Sequence, residues 1–279
     1  MILNRRQMLV AMAGCMAPLP ALATGGHALA DLIRTREDSV ELCGRDAAAV
    51  EGSVARAEAM DFPLTGRSIL VNVPSRALVA YEDGIPVLEM RVVPGAPRTP
   101  TPQITTTLEY VRLNPTWTVP ASILREHVWK VRMADPRWMS RHGFTRSGGR
   151  VVQQPGPSNA LGLMKFGLRN SNGILLHDTN EPEGFARDGL FASHGCIRVE
   201  RPFALASWVT GLSEDELIEL QKRGDRQDRR DFAPVSVTLS YLTAWPGADG
   251  SLTIHPDIYK QDKPVAACRP TGPNRNTRK

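Results

Sequence analysis

A mainly β fold with a few helices follows from three features of the 279-residue sequence. Short runs rich in Val, Ile, Leu and Thr recur between clusters of Gly, Pro, Asn and Asp, which is how strands and their turns alternate. An Asp-Gly pair, Asp83-Gly84, joins two of those runs and marks a tight hairpin. The 23 Gly and 22 Pro make the chain turn-rich, while 42% hydrophobic residues supply a core and exclude a disordered or collagen-like chain.

The strands follow in order. Ile69–Val73, Ala77–Tyr81 and Val87–Val93 form the first group, with the hairpin between the last two, and Thr105–Val111 adds a β-branched strand. Between Pro120 and Pro136, the spacing of Ile123, Leu124, Val128, Val131 and Met133 predicts a short helix. Residues 135–150 leave the sheet pattern, which returns at Val151-Val152, Leu163–Phe166 and Ile174–Leu176. The loop from Asp178 to Ala192 is long enough to point to function. A helix is expected over Pro202–Thr210, and Ser213 with Glu216 forms the capping box of another that runs through Lys222. Lys222–Asp231 is a solvated charge run, and Val235–Leu239 with an Asp249-Gly250 turn closes the chain. No repeat is evident, so one domain is expected.

The net charge is +5, but Arg5 and Arg6 belong to what resembles a removable leader. No Lys/Arg stripe with interleaved aromatics accompanies that charge, so nucleic acid is not an expected partner. Residues 1–30 follow the plan of an export signal: Arg5-Arg6, an apolar stretch from Met8 to Ala23, and a small-residue exit at Ala28-Leu29-Ala30. The paired arginines fit a twin-arginine signal or an ordinary positive start. Cys15 sits in a poor lipoprotein box, and no run of 18 apolar residues predicts a transmembrane helix. The expected home is the periplasm of a bacterial envelope. Residues 31–67 read as an N-terminal segment and 263–279 as a basic, disordered tail. Cleavage after Ala30 leaves Cys43, Cys196 and Cys268, an odd set for an oxidising compartment. Cys43 and Cys268 are the disulfide candidates, near opposite ends of the mature chain, and Cys196 is the thiol left over.

Chemistry concentrates where His177 ends an apolar strand and Ser193-His194-Gly195-Cys196-Ile197-Arg198 follows after fifteen residues. A free thiol titrates near 8.5, so a nucleophilic Cys196 needs a neighbour to take its proton, and an imidazole at a rigid strand end suits that task. Gly195 lets the backbone approach closely, so its N–H and that of Cys196 can face a developing oxyanion. Taken singly, a buried Cys is a small hydrophobe and a strand-end His a satisfied polar group. Zinc held by His177, His194 and Cys196 is a competing reading, although the short paired spacings of zinc sites are missing. No metal and no cofactor is expected.

This block resembles the catalytic signature of the L,D-transpeptidase (YkuD-type) family: His, about 14–17 residues, then Ser/Thr-His-Gly-Cys. Asn72–Ser75, Asn114–Pro120, Gln154–Gly162, Leu176–Thr179, Tyr241–Trp245 and Asp257–Tyr259 are similar to stretches of its YcbB-like branch, so the likeness covers about residues 68–262. It implies a β-sandwich catalytic domain over 68–262 with an inserted capping subdomain at 121–153. It also implies a peptidoglycan acyl-enzyme: the Cys attacks the carbonyl of an L-centre in a tetrapeptide stem, expels the terminal D-Ala and passes the acyl group to an amine. On this chain the nucleophile is Cys196 and the base His177, oriented by the Asp178 carbonyl. His194 joins the catalytic residues as one that lines the site, Ser193 binds substrate or orients the site, Gly195 and Cys196 form the oxyanion hole, and Arg198 is either a grip for a stem carboxylate or a structural ion pair. Asn180 stands where the family pattern has Pro. The expected partners are peptidoglycan stem peptides, together with a wall-attached envelope protein or a targeting partner. A hydrolase on the same Cys/His machinery and a non-catalytic wall-binding protein remain as alternatives.

Overall fold

The computed structural model describes residues 25–37, 42–63, 65–128, 135, 137–247 and 251–265. Two helices come first, α1 (Gly25–Glu37) and α2 (Arg45–Glu58). The strands are β1 (Arg67–Asn72), β2 (Ala77–Glu82), β3 (Ile85–Val93), β4 (Ile104–Leu113), β5 (Trp117–Thr118), β6 (Phe144–Ser147), β7 (Arg150–Gln153), β8 (Met164–Leu168), β9 (Leu175–His177), β10 (Ile197–Val199), β11 (Gln227–Arg229), β12 (Val235–Ser240), β13 (Ala244–Pro246) and β14 (Leu252–Ile254). Helix α3 (Trp138–Arg141) precedes β6, and α4 (Pro202–Thr210) and α5 (Glu214–Lys222) follow β10. The fold is therefore mainly β, as the sequence predicts.

Nine strands run in the order β11-β4-β12-β1-β2-β3-β10-β9-β8, and β8 also pairs with β4, so the sheet closes on itself. β1–β12 and β9–β10 are its parallel pairs. Asp83 and Gly84 turn the β2–β3 hairpin with φ of 48° and 77°, the left-handed pair that matches the strands' twist. The apolar runs of β1 and β2 are nearly continuous because both faces are covered. Ile69, Val71, Leu78 and Ala80 enter a large core with Phe166, Leu176 and Ile197 of the sheet and with Leu205, Val209 and Leu217 of α4 and α5. Leu70, Val79 and Tyr81 face a second core made with α1, α2 and β13. Helix α5 starts at the predicted capping box, Ser213 with Glu216.

The excursion has its own small sheet, β5-β7-β6, around buried Val119, Phe144 and Val151, with Trp117, Ile123, Leu124 and Trp138 against them. The helix expected over 123–133 is a single turn, Ala121–Ile123, that widens into a π-helical turn at Leu124–Val128. Val131 and Met133 lie outside the described residues. The charge run near residue 228 is not all solvated: β11 pairs with β4, and Asp228 grips Arg112 at 2.6 Å.

The largest departure is at the N-terminal end. Residues 1–24, with Arg5, Arg6 and Cys15, lie outside the described residues, as do the Asp249-Gly250 turn and the tail from 266 to 279. In α1, however, Leu29, Ala30 and Ile33 are buried in the second core. A Cβ on Gly26 would lie 2.1 Å from the Ala57 carbonyl oxygen, so α1 and α2 touch backbone to backbone. Leu29 and Ala30, the last residues before the expected cut, are thus part of this core in the uncut chain. Residues 31–67 are also largely helical, part of a layer that covers β1 and β2.

A chain beginning at Asp31 is expected to be less stable than one beginning at Gly25 by about 2–4 kcal/mol, the value of burying Leu29 and Ala30. Equal melting temperatures for the two chains would show that this part of α1 does not support the core.

Candidate active site

The site is built on the parallel pair β9–β10. Leu176 stands opposite Ile197 and His177 opposite Arg198. Side chains alternate along a strand, so Leu176 and Ile197 enter the large core while His177 and Arg198 share the other face. Cys196 stands just before β10, at the end of the loop that enters it. Register carries the row outward: Lys165 of β8 is opposite His177, and Arg112 of β4 is opposite Lys165.

His177 is buried, and its Nδ1 lies 2.5 Å from the Asp178 carbonyl oxygen. A carbonyl can only accept, so Nδ1 carries the proton and Nε2 keeps the lone pair. Burial pushes the ring's pKa down to about 4, the Asp178 bond opposes this, and the cations Arg198 and Lys165 push it lower. Asp178 is held in turn by its own carboxylate, which accepts the Leu163 N–H at 2.7 Å. A side chain on Gly162 would collide with that carboxylate, at 2.4 Å, and Gly162 has a φ of 62°, so two constraints require glycine there.

Cys196 is the free cysteine among the described residues. Its thiol donates weakly to the Gly173 carbonyl at 3.7 Å. Burial raises its pKa, against the opposing effects of the Leu175 N–H and the Lys165 charge. At rest the Cys196 thiol and the His177 imidazole are therefore both neutral. Cys43 is disulfide-bonded, to a partner outside the described residues, where Cys268 also lies.

The loop that presents Cys196 is pinned from several sides. Ser193 is buried; its hydroxyl donates to the Cys196 carbonyl and accepts the Gly195 N–H at 3.2 Å. Its backbone carbonyl accepts the Thr99 hydroxyl at 2.9 Å. Thr101, also buried, donates its hydroxyl to the Gly195 carbonyl at 2.9 Å and accepts the Gly95 N–H at 3.0 Å. Tyr259 donates to the Gly95 carbonyl at 2.6 Å and accepts the Thr101 N–H at 3.2 Å. Gly195 has a φ of 104°, a conformation open to glycine, with Ile174 Cδ1 3.0 Å from where a Cβ would be.

The geometry revises several expected roles. The Gly195 N–H is engaged by Ser193, so it does not stand open to an oxyanion in this conformation. Ser193 orients the loop from within instead of lining a cleft. The ring of His194 turns toward the excursion, with Nε2 3.6 Å from Glu126 Oε2. Arg198 is paired with Glu181 at 2.9 Å. Thr101, Tyr259 and Lys165 were not singled out as site residues from the sequence. Lys165 had a usable signal, since alternation sets it opposite in face to Met164 and Phe166, but its neighbour across the sheet is known only once the register is. Among the described residues, no group of three or more His, Cys, Asp or Glu side chains could hold a metal ion, and no helix is long and apolar enough to cross a membrane.

In the unfolded chain the His177 ring takes its proton near 6.5, in the fold only near 4. Between those values the unfolded state holds more protons, so stability is lost as the pH falls through that window and is unaffected by this group above it. Relative to His177→Gln, the native chain is expected to lose about 3 kcal/mol of unfolding free energy from pH 6.5 to 4. A difference that stays constant across the window would show that the ring protonates freely in the fold.

Comparison with known proteins places this geometry. Residues 66–237 match the family model of the YkuD L,D-transpeptidase catalytic domain. A Haemophilus influenzae protein provisionally named an L,D-transpeptidase is 32% identical over 222 residues, covering 71% of this chain and 45% of that protein. The chain thus spans about half the length of this curated relative. Among solved structures, the ertapenem-acylated catalytic domain of the Enterococcus faecium L,D-transpeptidase overlaps 63% of this chain and 99% of its own, at 18% identity and a TM-score of 0.34. An L,D-transpeptidase from Mycobacterium smegmatis overlaps 61% and 58%, at 15% identity and a TM-score of 0.32. At these scores the structural overlap is partial, and the assignment rests on the family model and the Haemophilus relative. On that basis the chain belongs to the family of YkuD-type L,D-transpeptidase catalytic domains.

Proposed function

We propose that this chain is a peptidoglycan L,D-transpeptidase working through a thioester on Cys196. The observation that carries this reading is the His177 tautomer: with Nδ1–H committed to the Asp178 carbonyl, Nε2 keeps a free lone pair, and Cys196 comes one residue before Ile197, which pairs with the neighbouring Leu176. A ring whose pKa lies near 4 is wholly in its base form at neutral pH.

Acylation begins when the thiol turns from the Gly173 carbonyl to Nε2 and gives up its proton. The sulfur bonds to the carbonyl carbon of the L-centre before the terminal D-Ala, and the Cys196 N–H is the donor assigned to the oxyanion. The imidazolium then returns its proton to the amide nitrogen, the C–N bond breaks, and D-Ala leaves with an amine terminus. An acceptor amine next loses a proton to Nε2 and attacks the thioester, which restores the thiol. A stem-peptide acceptor gives a 3→3 cross-link, and an envelope-protein acceptor gives attachment to the wall. Water in the acceptor's place would make the same site a carboxypeptidase.

The substrate places the protein in the bacterial envelope, and a disulfide at Cys43 agrees with that oxidising compartment. Cys268 is the partner we assign to it. The excursion is assigned as a cap over the site, with Glu126 and His194 meeting where the two touch.

Incubation with purified disaccharide-tetrapeptide, followed by liquid chromatography and mass spectrometry, is expected to give a cross-linked dimer with loss of one D-Ala. Tripeptide alone would replace transpeptidation with hydrolysis. Cys196→Ala should give neither product, and Cys196→Ser should lose at least about a thousandfold in rate, because a hydroxyl is a far weaker nucleophile beside the same imidazole. Appreciable turnover by the serine variant would exclude thiol catalysis. A carbapenem should add its mass to the native chain but not to Cys196→Ala; no adduct on a chain whose Cys196 still alkylates would favour a non-catalytic wall-binding role.

A further inference from the structure

His177 belongs to a row of cations. In register across the sheet run Arg112 on β4, Lys165 on β8, His177 on β9 and Arg198 on β10. The arginines at the ends are neutralised, Arg112 by Asp228 at 2.6 Å and Arg198 by Glu181 at 2.9 Å. Lys165 between them is not. It is half-buried, and among the described residues no carboxylate forms an ion pair or hydrogen bond with its Nζ. Its recorded neighbour is the Tyr110 ring, with a centroid 6.0 Å away. That ring fills the place a side chain at Gly167 would take, 2.3 Å from a built Cβ, and so walls the ammonium on one side. The other charges that act on Lys165 are Arg112, Arg226, Asp228 and Cys196. Asp228 already serves Arg112 and also lies 3.5 Å from Arg230. A half-buried ammonium without a counter-ion is costly unless a ligand supplies the anion.

The strand order says which anion fits. In the acyl transfer proposed above, on which this inference rests, the scissile carbonyl is at Cys196 and the leaving nitrogen at His177. One strand further, directly opposite His177, is Lys165, while Cys196 stands two residues before Arg198, the member of the row on β10. Neighbouring strands are about 5 Å apart, and in an amino acid the carboxylate carbon lies two bonds from the nitrogen, about 2.5 Å. We propose that Lys165 docks the carboxylate of the residue that leaves, so that the site selects a scissile bond one residue from a free C-terminus. Arg198, the residue the sequence suggested for gripping a stem carboxylate, is held by Glu181 and lies on the opposite side of His177.

Two measurements test this, and one does not require turnover. Cys196 is alkylated with iodoacetate, an anion, and with iodoacetamide, its neutral counterpart, in the native chain and in Lys165→Met, with melting temperatures to confirm that both are folded. The ratio of the iodoacetate to the iodoacetamide rate is expected to fall at least about threefold in the variant, because a nearby cation attracts only the charged reagent. An unchanged ratio would overturn Lys165 as an anion dock. The second measurement compares a stem tetrapeptide ending in free D-Ala with its C-terminal amide. The native chain should favour the acid by about tenfold or more in kcat/KM, Lys165→Met should lose that preference, and Lys165→Arg should keep much of it. Equal use of acid and amide by the native chain would overturn the proposal with no variant needed. If the native chain used neither peptide while the alkylation ratio still fell, the acyl-transfer reading would fail and the anion dock would stand.

Discussion

The site depends on one pairing, the parallel alignment of β9 with β10. Parallel neighbours cannot be joined by a tight turn, so the chain must travel from the end of β9 back to the start of β10. That requirement explains the long segment between His177 and Cys196, which crosses with a short 3-10 turn at Pro182–Ala186 instead of a full helix. Because Leu176 and Ile197 are locked into the large core, their strand neighbours His177 and Arg198 are forced onto the opposite face, with Cys196 delivered at the start of β10. A register slip of one residue would send Leu176 out and His177 into the core, so packing enforces the chemistry.

A crossover of this length would not by itself hold the Cys196 thiol in place. Buried Thr101 and half-buried Tyr259 supply the support by bonding to one another, to Gly95 and, through Thr101, to Gly195. Tyr259 stacks on Tyr241, whose hydroxyl donates to Asp257 at 2.6 Å. Arg56 of α2 ion-pairs with Asp262 at 2.6 Å, and Asp262 accepts the Thr243 hydroxyl at 2.8 Å. The helical layer and the segment after β14 are thus joined by polar contacts to the loop carrying Cys196. Residues 241–262 lie beyond the matched family model, which ends at 237, while Gly95, Thr101 and Gly195 lie within it.

Much of this was legible in the sequence, for local reasons. β-branched runs, the Asp83-Gly84 turn and the Ser213/Glu216 capping box each act within a few residues, and each appears where local chemistry puts it. His177 and Cys196 were legible because their motif is contiguous apart from one loop. Helix α2 was not, because its buried face is largely Ala and gives little hydrophobic contrast, and the start of α1 reads equally as the small-residue exit of an export signal. The partners of Arg198, the Gly195 N–H and Lys165 were hidden for another reason. Each depends on which strand or loop returns beside it, and nothing in the neighbouring residues specifies that.

The cation row has a further consequence for the base. Lys165 and Arg198 both lower the proton affinity of His177, adding to the effect of burial, so the empty site holds thiol and imidazole neutral. Such a pair is little reactive toward stray electrophiles, since thiolate is scarce. A substrate whose carboxylate docks on Lys165 cancels one of those cations, and the proton affinity of the neighbouring imidazole rises. The same contact that recognises the free C-terminus would strengthen the base that must take the Cys196 proton. Lys165 also helps to stabilise the thiolate, so pairing its charge raises the proton affinity of Cys196 as well as that of His177, and transfer between them follows the difference of the two.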